Sequence, residues 1–318
     1  MTSKAESPAL IADVGGTYTR LGILTAAGPA HVKVGENAAS ANLIVLLESY
    51  LQTVPASDHP TRGAIAVASP VTGDWVEMTN LNWRFSITDL KSRLKLDPLR
   101  VINDFMALAL ALPHLTADAV VQIGGGKAAR GGAVAVVGPG TGLGVSGLLP
   151  CDGAHVPITG EGGHVSLAAH DEEEDRVLEW FRRRYGRVSA ERVLSGQGLV
   201  DLYHCLCGGA PDPAISPEAV IALARLREDP FAVRTLETFF SFLGETAGDI
   251  ALILGARGGV YLAGGILPRV PDMLASSPFR ARFEDKGRFR RYMAEIPSFV
   301  ITAPYPAFTG LQACLKQR

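Results

Sequence analysis

Short apolar runs recur along the chain, and several of them end in glycine or in a polar residue. The run at 10–14 meets a glycine pair, and an alternating apolar pattern resumes at 21–23, which predicts a β-hairpin. A similar pattern follows later, where strands predicted at 133–137 and 145–149 flank the turn G-P-G-T-G-L-G at 138–144. Two such hairpins predict two α/β domains of one topology, each presenting a glycine turn to a shared cleft.

Helical spacing of apolar residues marks the segments that would cover these sheets. The clearest helix is 171–185, which is acidic in its first turn, basic in its last turn and followed by Gly186. In the long apolar helix at 231–254, Gly244 and Gly248 predict close packing against a neighbour. Further strands are predicted at 64–68, 99–102, 258–266 and 298–302, and further helices at 42–54, 86–94, 105–112, 189–196, from 216 and from 309.

Two segments carry polar or charged residues that favour exposure. The stretch at 69–83 contains two tryptophans but is too polar for a core segment, so we expect a loop there. The basic stretch at 279–292 is expected to be helical and solvated.

The composition describes a core-rich globular protein of 318 residues, with 47% hydrophobic and 19% charged residues. The formal net charge of −2 provides no basic field for nucleic acid or an anionic membrane, so small molecules are the expected partners. The opening segment 1–8 is short and polar, which predicts no signal peptide and favours a cytoplasmic protein. The uncharged stretch 131–151 is rich in glycine, so strand, turn and strand explain it better than a membrane helix.

Four cysteines, Cys151, Cys205, Cys207 and Cys314, are too few for a disulfide scaffold in a chain of this length. The C-x-C pair beside His204 suggests zinc, but a structural zinc site needs four ligands and no second pair lies at a suitable spacing. Two buried thiols are therefore the favoured interpretation.

The glycine turn of the first hairpin has the chemistry of an anion site. Two glycines admit positive φ and leave no Cβ in the way, so that backbone N–H groups can point at an anion, and Thr17 adds a hydroxyl donor. Asp13 would then face a metal ion that neutralises the anion. An ordinary tight hairpin with an acid at its rim explains the same residues. A dinucleotide fingerprint at 142–147 is rejected because its glycines lead into a strand, and no P-loop motif occurs.

Carboxylates, an amide and an imidazole mark the later candidate positions. Asn103 and Asp104 stand where a strand gives way to a helix, the edge at which α/β enzymes place their chemistry, although Asp104 could simply cap that helix. Glu161 and His164 lie in a glycine-rich loop, where they either converge on a polar ligand or stay solvated. Glu191 lies in the first turn of a helix, where a carboxylate interacts favourably with the helix dipole, so this position by itself indicates no further role.

Six motifs lie in order along nearly the whole chain: D-V-G-G-T at 13–17, I-N-D-F at 102–105, G-P-G-T-G-L-G at 138–144, E-G-G-H at 161–164, S-A-E-R-V-L-S-G at 189–196 and A-G-G-I at 263–266. Together they resemble the bacterial glucokinase family, in the group without the zinc signature of the repressor/open-reading-frame/kinase (ROK) families. The resemblance implies the hexokinase/actin-like ATPase fold, of the ribonuclease H-like α/β class, with a cleft between two domains. It implies a small domain at 1–113 and 303–318 and a large domain at 114–302.

The same resemblance implies ATP-dependent phosphorylation of D-glucose at the 6-hydroxyl, the first step of glycolysis, by a homodimer that uses Mg²⁺. Asp104 matches the general base that takes the proton from that hydroxyl. The sugar ligands are matched by Asn103, Glu161, His164 and Glu191. The two phosphate loops of the ATP site are matched by Asp13, Val14, Gly15, Gly16 and Thr17 and by Gly138, Gly140, Thr141 and Gly142, and the adenosine edge by Gly264 and Gly265. Asp13 is also expected to hold Mg²⁺, directly or through water.

Three other functions fit parts of the pattern. A sugar-sensing repressor needs a DNA-binding module before the first loop, and that loop begins at residue 13. A catalytically silent sugar-binding regulator is expected to lack the base or a loop glycine, and all are present. A kinase for another hexose, or one that uses polyphosphate, stays open.

Two features depart from the family pattern. The segment 305–311 differs from the family's usual glycine-leucine-rich tail, which leaves its packing undetermined. The Cys205-x-Cys207 pair lies too far beyond His164 to form the ROK zinc motif.

Overall fold

The computed structural model describes residues 7–208 and 214–317, and the chain divides into two compact units. Unit 1 comprises Met1–Leu115 and Pro304–Arg318, and unit 2 comprises Thr116–Ala303. Most of the polar opening segment, for which no signal peptide is expected, lies outside the described residues.

The regular elements alternate between strands and helices in both units. The strands are β1 (Ala9–Val14), β2 (Tyr18–Thr25), β3 (Gly28–Glu36), β4 (Arg62–Val67), β5 (Trp75–Glu77), β6 (Arg84–Ser86), β7 (Leu99–Asn103), β8 (Val120–Ile123), β9 (Val134–Pro139), β10 (Leu143–Cys151), β11 (Ala154–Thr159), β12 (Gly259–Leu262) and β13 (Ser298–Ile301). The α-helices are α1 (Leu43–Leu51), α2 (Ile87–Leu94), α3 (Asp104–Ala111), α4 (Glu172–Tyr185), α5 (Ala190–Val193), α6 (Gly196–Cys207), α7 (Pro217–Leu226), α8 (Pro230–Leu254), α9 (Pro271–Ala275), α10 (Phe279–Glu284), α11 (Arg290–Ala294) and α12 (Pro306–Lys316).

The two units share one sheet topology, which is the repeat predicted from the two glycine hairpins. The strand order is β3-β2-β1-β4-β7 in unit 1 and β11-β10-β9-β12-β13 in unit 2, where β8 extends the sheet. In each unit the first three strands form an antiparallel meander. The next two strands run parallel to the first strand. Both hairpin predictions are confirmed.

Helices cover both faces of the unit 1 sheet. On one face, Leu43 and Leu47 of α1 join a core with Leu10 of β1. On the other face, Phe308 of α12 lies against Gly22 of β2, where a Cβ would come within 3.2 Å of the phenyl ring. Because both faces are covered, the inner strands carry apolar residues at successive positions, as in parallel sheets generally.

The predicted helix starts are confirmed by their caps. Side chains of Asn42, Ser86, Asp171 and Ser216 each accept a hydrogen bond from a backbone N–H in the first turn of the following helix. The glycines of α8 also pack closely, since Cβ atoms at Gly244 and Gly248 would meet carbonyl oxygens of α10. Local capping and packing signals in this sequence therefore correspond to real element boundaries and contacts.

The uncharged stretch 131–151 forms the β9–β10 hairpin, as its glycine content predicts. Among residues 7–208 and 214–317, no helix combines the length and apolar character that crossing a membrane requires.

The expectation that 69–83 is too polar for the core is wrong in part. Val76, Met78 and Trp83 are buried and join the unit 1 core, whereas Trp75 is exposed. The antiparallel β5–β6 ribbon explains this split, since alternate residues of a ribbon point to opposite faces.

The expectation that the basic segment 279–292 is solvated is also wrong in part. The segment forms α10 and α11, and Phe279 and Phe283 lie fully inside the unit 2 core. Arg282 is only 8% exposed. The helical spacing of Phe279 and Phe283 directs one face of α10 toward the core, and Arg282 lies on that face.

Buried cations in unit 2 are neutralised by an ion cluster. The Arg282 guanidinium lies 3.1 Å from Glu174 and 3.3 Å from Glu245, and the Lys286 ammonium lies 2.5 Å from Glu245 and 2.7 Å from Asp249. Burial raises the pKa of Glu174, and Arg282 opposes that shift. The cluster ties α4, α8 and α10 together, and removal of one partner would leave a buried charge unpaired.

The thiols of the C-x-C pair are half-buried at the end of α6. Burial raises the pKa of Cys205 to about 11 and also raises the pKa of Cys207. Both groups are therefore protonated thiols at neutral pH, which agrees with the interpretation as packed thiols.

The divergent segment at 305–311 opens α12, which packs against α3 in unit 1. Gly310 lies under the carbonyl oxygen of Ala107, and a Cβ at Gly310 would overlap that oxygen. Packing against α12 thus holds α3, the helix that begins at Asp104, in place.

We predict that Gly310→Ala destabilises the protein by about 1–3 kcal/mol through overpacking. In an open helix the same change would stabilise by up to about 1 kcal/mol, so the sign of the effect distinguishes the two cases. Urea unfolding followed by circular dichroism measures it. The matched control is Gly73→Ala, since no atom lies within 4 Å of a Cβ at Gly73. Equal stability of both variants would contradict the prediction.

Candidate functional site

Loop 1, residues 13–17, follows the carboxyl end of β1 in unit 1. Asp13 lies opposite Arg20 in the β1–β2 register, and the Arg20 guanidinium donates to Asp13 Oδ2 at 3.0 Å. Burial raises the pKa of Asp13, and the nearby positive charge and hydrogen bond of Arg20 partly offset this rise. The side chain of Val14 lies in the core, so that this residue meets a ligand only through its backbone.

The buried residue Asn37 forms hydrogen bonds that support the backbone of loop 1. Asn37 is 1% exposed, and its Nδ2 donates to the Gly15 carbonyl oxygen at 2.9 Å. Its Oδ1 accepts from the Thr19 hydroxyl at 2.6 Å, and its backbone N–H donates to Thr17 O at 2.9 Å. These bonds turn two carbonyl groups of the loop toward Asn37 and away from any anion.

Some backbone N–H groups of loop 1 donate hydrogen bonds within the protein, and others are available to bind a ligand. Gly15 N–H donates to Tyr18 O at 3.0 Å inside the turn. Within the described residues, the hydrogen bonds leave the N–H groups of Gly16 and Thr17 without an intramolecular acceptor. Neither Gly15 nor Gly16 has a positive φ, so the left-handed backbone predicted for them is wrong. The predicted need to leave out a Cβ agrees with Gly15, where a Cβ would lie 3.1 Å from Tyr18 O.

Asn103 and Asp104 stand at the end of β7 and the start of α3. Asn103, rather than Asp104, caps the helix: its Oδ1 accepts from the N–H groups of Phe105 at 2.9 Å and Met106 at 3.2 Å. Its Nδ2 lies 3.4 Å from the carbonyl oxygen of Ser69. The amide oxygen is therefore engaged, and the amide nitrogen is the group of Asn103 that can meet a ligand.

Asp104 is the first residue of α3 and is half-buried. Its Oδ1 accepts from Phe105 N–H at 2.9 Å. The carboxylate therefore stands at the positive end of the α3 dipole, beside the capping amide of Asn103.

Loop 2, residues 138–142, joins β9 to β10 in unit 2. Gly140 N–H donates to Gly142 O at 2.8 Å, so the turn closes on itself. Within the described part of the chain, the N–H groups of Thr141 and Gly142 have no intramolecular acceptor, and Thr141 is exposed. These donors, with the Thr141 hydroxyl, give loop 2 the chemistry of an anion site.

Gly264 brings the end of β12 against loop 2. Its φ of +90° is in the left-handed region, and a Cβ there would overlap the carbonyl oxygen of Pro139. Gly265 beside it is exposed, with no atom within 4 Å of a Cβ position. The two glycines thus leave a flat, open edge next to loop 2.

The side chains of His164 and Glu191 lie close together beside loop 2, and Glu161 belongs to the same turn as His164. His164 Nε2 lies 3.7 Å from Glu191 Oε1. His164 and Glu161 belong to one 3₁₀ turn, in which His164 N–H donates to Glu161 O at 3.0 Å. The carboxylate beside the imidazole is thus that of Glu191, whereas the convergence of Glu161 and His164 on one polar ligand stays a prediction. Glu161 is the N-cap residue of that turn, and its exposed side chain makes no cap hydrogen bond.

Several supporting residues carry no clear signal in the sequence. Asn37 lies between an edge strand and a helix, and nothing in its neighbourhood marks it as the brace of loop 1. Arg20 was recoverable, because the register of a tight hairpin places it opposite Asp13. In residues 7–208 and 214–317, no group of three or more His, Cys, Asp or Glu side chains is arranged to hold a metal ion.

Comparison with known proteins gives one consistent family. A sequence model of the family described as Glucokinase matches residues 10–318. The glucokinase of Nitrobacter hamburgensis is 47% identical over 308 residues, which is 95% of this chain and 95% of that protein. The crystal structure of a glucokinase from an Antarctic psychrotroph has a TM-score of 0.85 at 35% identity and covers 98% of this chain and 99% of its own. A glucokinase from Balamuthia mandrillaris in complex with glucose shares the fold, with a TM-score of 0.81 at 22% identity over 98% of this chain and 94% of its own.

We predict that Arg20→Met destabilises the protein more at about pH 8 than at about pH 5. The folded-state pKa of Asp13 lies above its unfolded value, so the contribution of this group to stability falls as the pH rises through the folded pKa. Loss of Arg20 raises that pKa further. The difference is expected to be about 1 kcal/mol or less, because Arg20 is 39% exposed and water screens the pair.

Urea unfolding of Arg20→Met and of the double variant Asp13→Asn/Arg20→Met at both pH values measures this effect. The double variant has no carboxylate at position 13, so its stability loss should not share the pH dependence. An equal loss at both pH values in the single variant would refute the role of the ion pair.

Proposed function

This chain belongs to the glucokinase family, and we propose from that membership and from the sites of its two units that it transfers the γ-phosphoryl group of ATP to the 6-hydroxyl of D-glucose. Its architecture is the actin-like ATPase fold shared by the glucokinase structures. The observation that carries the proposal is the Asn103–Asp104 pair at the end of β7, where a capping amide precedes a carboxylate on the first residue of a helix.

Asp104 is the proposed general base. The 6-hydroxyl oxygen attacks the γ-phosphorus, the bond from that phosphorus to the β-phosphate oxygen breaks, and Asp104 accepts the hydroxyl proton. The hydrogen bond from Phe105 N–H fixes one carboxylate oxygen and sets the direction of the other. Because phosphoryl transfer depends on positioning, the carboxylate must be held in a fixed orientation to accept this proton.

Four polar residues are proposed as sugar ligands. Glu161 and Glu191 offer carboxylate oxygens as acceptors for sugar hydroxyls, and His164 beside Glu191 offers a ring nitrogen. Asn103 acts as a donor through Nδ2, because its Oδ1 already caps α3. An analogue without a matching hydroxyl would leave these groups unpaired, which is how a polar site discriminates between sugars.

The two glycine loops are proposed to bind the phosphates of ATP. The N–H groups of Gly16 and Thr17 in loop 1, and of Thr141 and Gly142 in loop 2, are the donors available for this. Gly15, Gly138 and Gly140 shape the loops, and Val14 supports loop 1 from the core. The open edge at Gly264 and Gly265 suits the flat adenine or its ribose.

Mg²⁺ is proposed to bind near Asp13, where it would neutralise charge on the transferred phosphoryl group. Arg20 engages Asp13 Oδ2, so Oδ1 is the oxygen left for the ion or its water. A single carboxylate fits Mg²⁺, which usually keeps several waters and takes its other ligands from substrate phosphates.

The same proposal places the enzyme in the cytoplasm, at the entry of glucose into glycolysis, and the family resemblance favours a homodimer. Analytical ultracentrifugation of the purified chain tests the oligomeric state.

We predict that Asp104→Asn lowers kcat by about 10²- to 10⁴-fold, the range typical for loss of a general base. Asparagine keeps an oxygen that accepts from Phe105 N–H but cannot take the hydroxyl proton. The dissociation constant for glucose should change little. A coupled assay of ADP release gives kcat, and titration calorimetry gives glucose binding.

The matched control is Asp89→Asn, which removes an exposed carboxylate from the first turn of α2 in the same unit and should leave turnover unchanged. Near-normal kcat in Asp104→Asn would remove Asp104 from the role of base.

The acceptor sugar is tested with wild-type protein, ATP and Mg²⁺ in the presence of glucose, mannose, fructose or N-acetylglucosamine. Glucose is expected to give the highest kcat/KM. A higher value for another hexose would assign a different sugar kinase, and tight glucose binding without turnover of any sugar would assign a silent sensor.

A further inference from the structure

The Glu191 carboxylate faces loop 2 as well as the sugar residues. Its Oε2 accepts a hydrogen bond from Leu143 N–H at 2.9 Å, directly after loop 2. Its Oε1 lies 3.7 Å from His164 Nε2. The two oxygens of one side chain therefore serve two neighbouring parts of the unit 2 site.

Loop 2 is shaped to receive this carboxylate. A Cβ at Gly142 would overlap Glu191 Oε2, so only glycine lets the side chain lie there. The same segment of chain holds the loop at a second point, because Gly196 N–H donates to Gly140 O at 2.8 Å. The segment from Glu191 to Gly196 thus fixes the position of loop 2 relative to the sugar residues.

We propose that Glu191 is a positioning residue for loop 2 as well as a sugar ligand, so that glucose binding and nucleotide binding support each other through this carboxylate. The inference rests on the proposed function, in which Glu191 binds the sugar and loop 2 binds phosphates. A sugar hydroxyl on Oε1 restricts the side chain and thereby keeps Oε2 on Leu143 N–H. By linkage, a loop already held by phosphates presents Glu191 to the sugar in its binding position.

The first experiment measures glucose binding by calorimetry without nucleotide. Gly142→Ala should raise the glucose dissociation constant by about 10- to 100-fold, the equivalent of one hydrogen bond to a charged group, because the methyl group displaces the carboxylate. The control variant Gly125→Ala lies in the same unit but outside both loops, with no atom within 4 Å of its Cβ position. It should leave glucose binding within about twofold of wild type.

The second experiment measures binding of the ATP analogue AMPPNP without sugar. Glu191→Ala should raise its dissociation constant by about tenfold, since loop 2 loses the acceptor for Leu143 N–H. Glu191→Gln keeps a neutral acceptor and should restore nucleotide binding to within about threefold of wild type, while glucose binding stays weak.

The outcomes separate this inference from the proposed function. Turnover of glucose by the wild type tests the proposed function alone. If wild type turns over glucose but Gly142→Ala binds it as well as Gly125→Ala does, the coupling is wrong and the kinase assignment stands. Equal AMPPNP binding by Glu191→Ala and wild type also overturns the inference, and this arm needs no sugar. Loss of AMPPNP binding in Glu191→Ala with rescue in Glu191→Gln supports positioning of loop 2 even where the sugar is not glucose.

Discussion

Burial of the inner strands on both faces is the constraint on which the sites of both units depend. The strands β1, β4 and β9 are covered by other parts of their own unit along almost their whole length, so polar side chains along them would be desolvated. Polar groups therefore appear at the strand ends. Asp13 lies at the end of β1 and Asn103 at the end of β7, and loop 2 follows β9. The polar candidate residues of each unit therefore lie at one edge of its sheet, because burial elsewhere in the sheet would desolvate them.

Much of this arrangement was predictable from the sequence, because it leaves periodic or local signals. The two hairpins, the caps of the long helices and the position of Asp104 at a strand-to-helix junction all follow from patterns within a few residues. The contact between Glu191 and Leu143 joins positions 48 residues apart through a single side chain and a backbone N–H, and no periodicity marks such a pair. Asn37 escaped prediction for the same reason.

The pattern of charged residues and the pattern of glycines each allow more than one physical explanation. A run of basic residues predicts a solvated face, yet the side chains of Arg282 and Lys286 are buried. Carboxylates on other helices, Glu174, Glu245 and the exposed Asp249, pair with them in place of water. The positive φ predicted for the glycines of loop 1 is not used, whereas Gly142 of loop 2 is required by the close approach of a carboxylate. Composition identifies where glycine is needed, and only the neighbours show why.

Unit 1 consists of two separate segments of the chain, so its two parts are synthesised at different times. The helix that begins at Asp104 packs against α12, and α12 emerges from the ribosome after all of unit 2 has been translated. Domains generally fold as units during synthesis, so the continuous unit 2 can fold while unit 1 still lacks one of its helices. The proposed base therefore acquires its packing partner only after unit 2 has been translated, and a chain truncated before α12 carries a complete loop 2 but an Asp104 without this support.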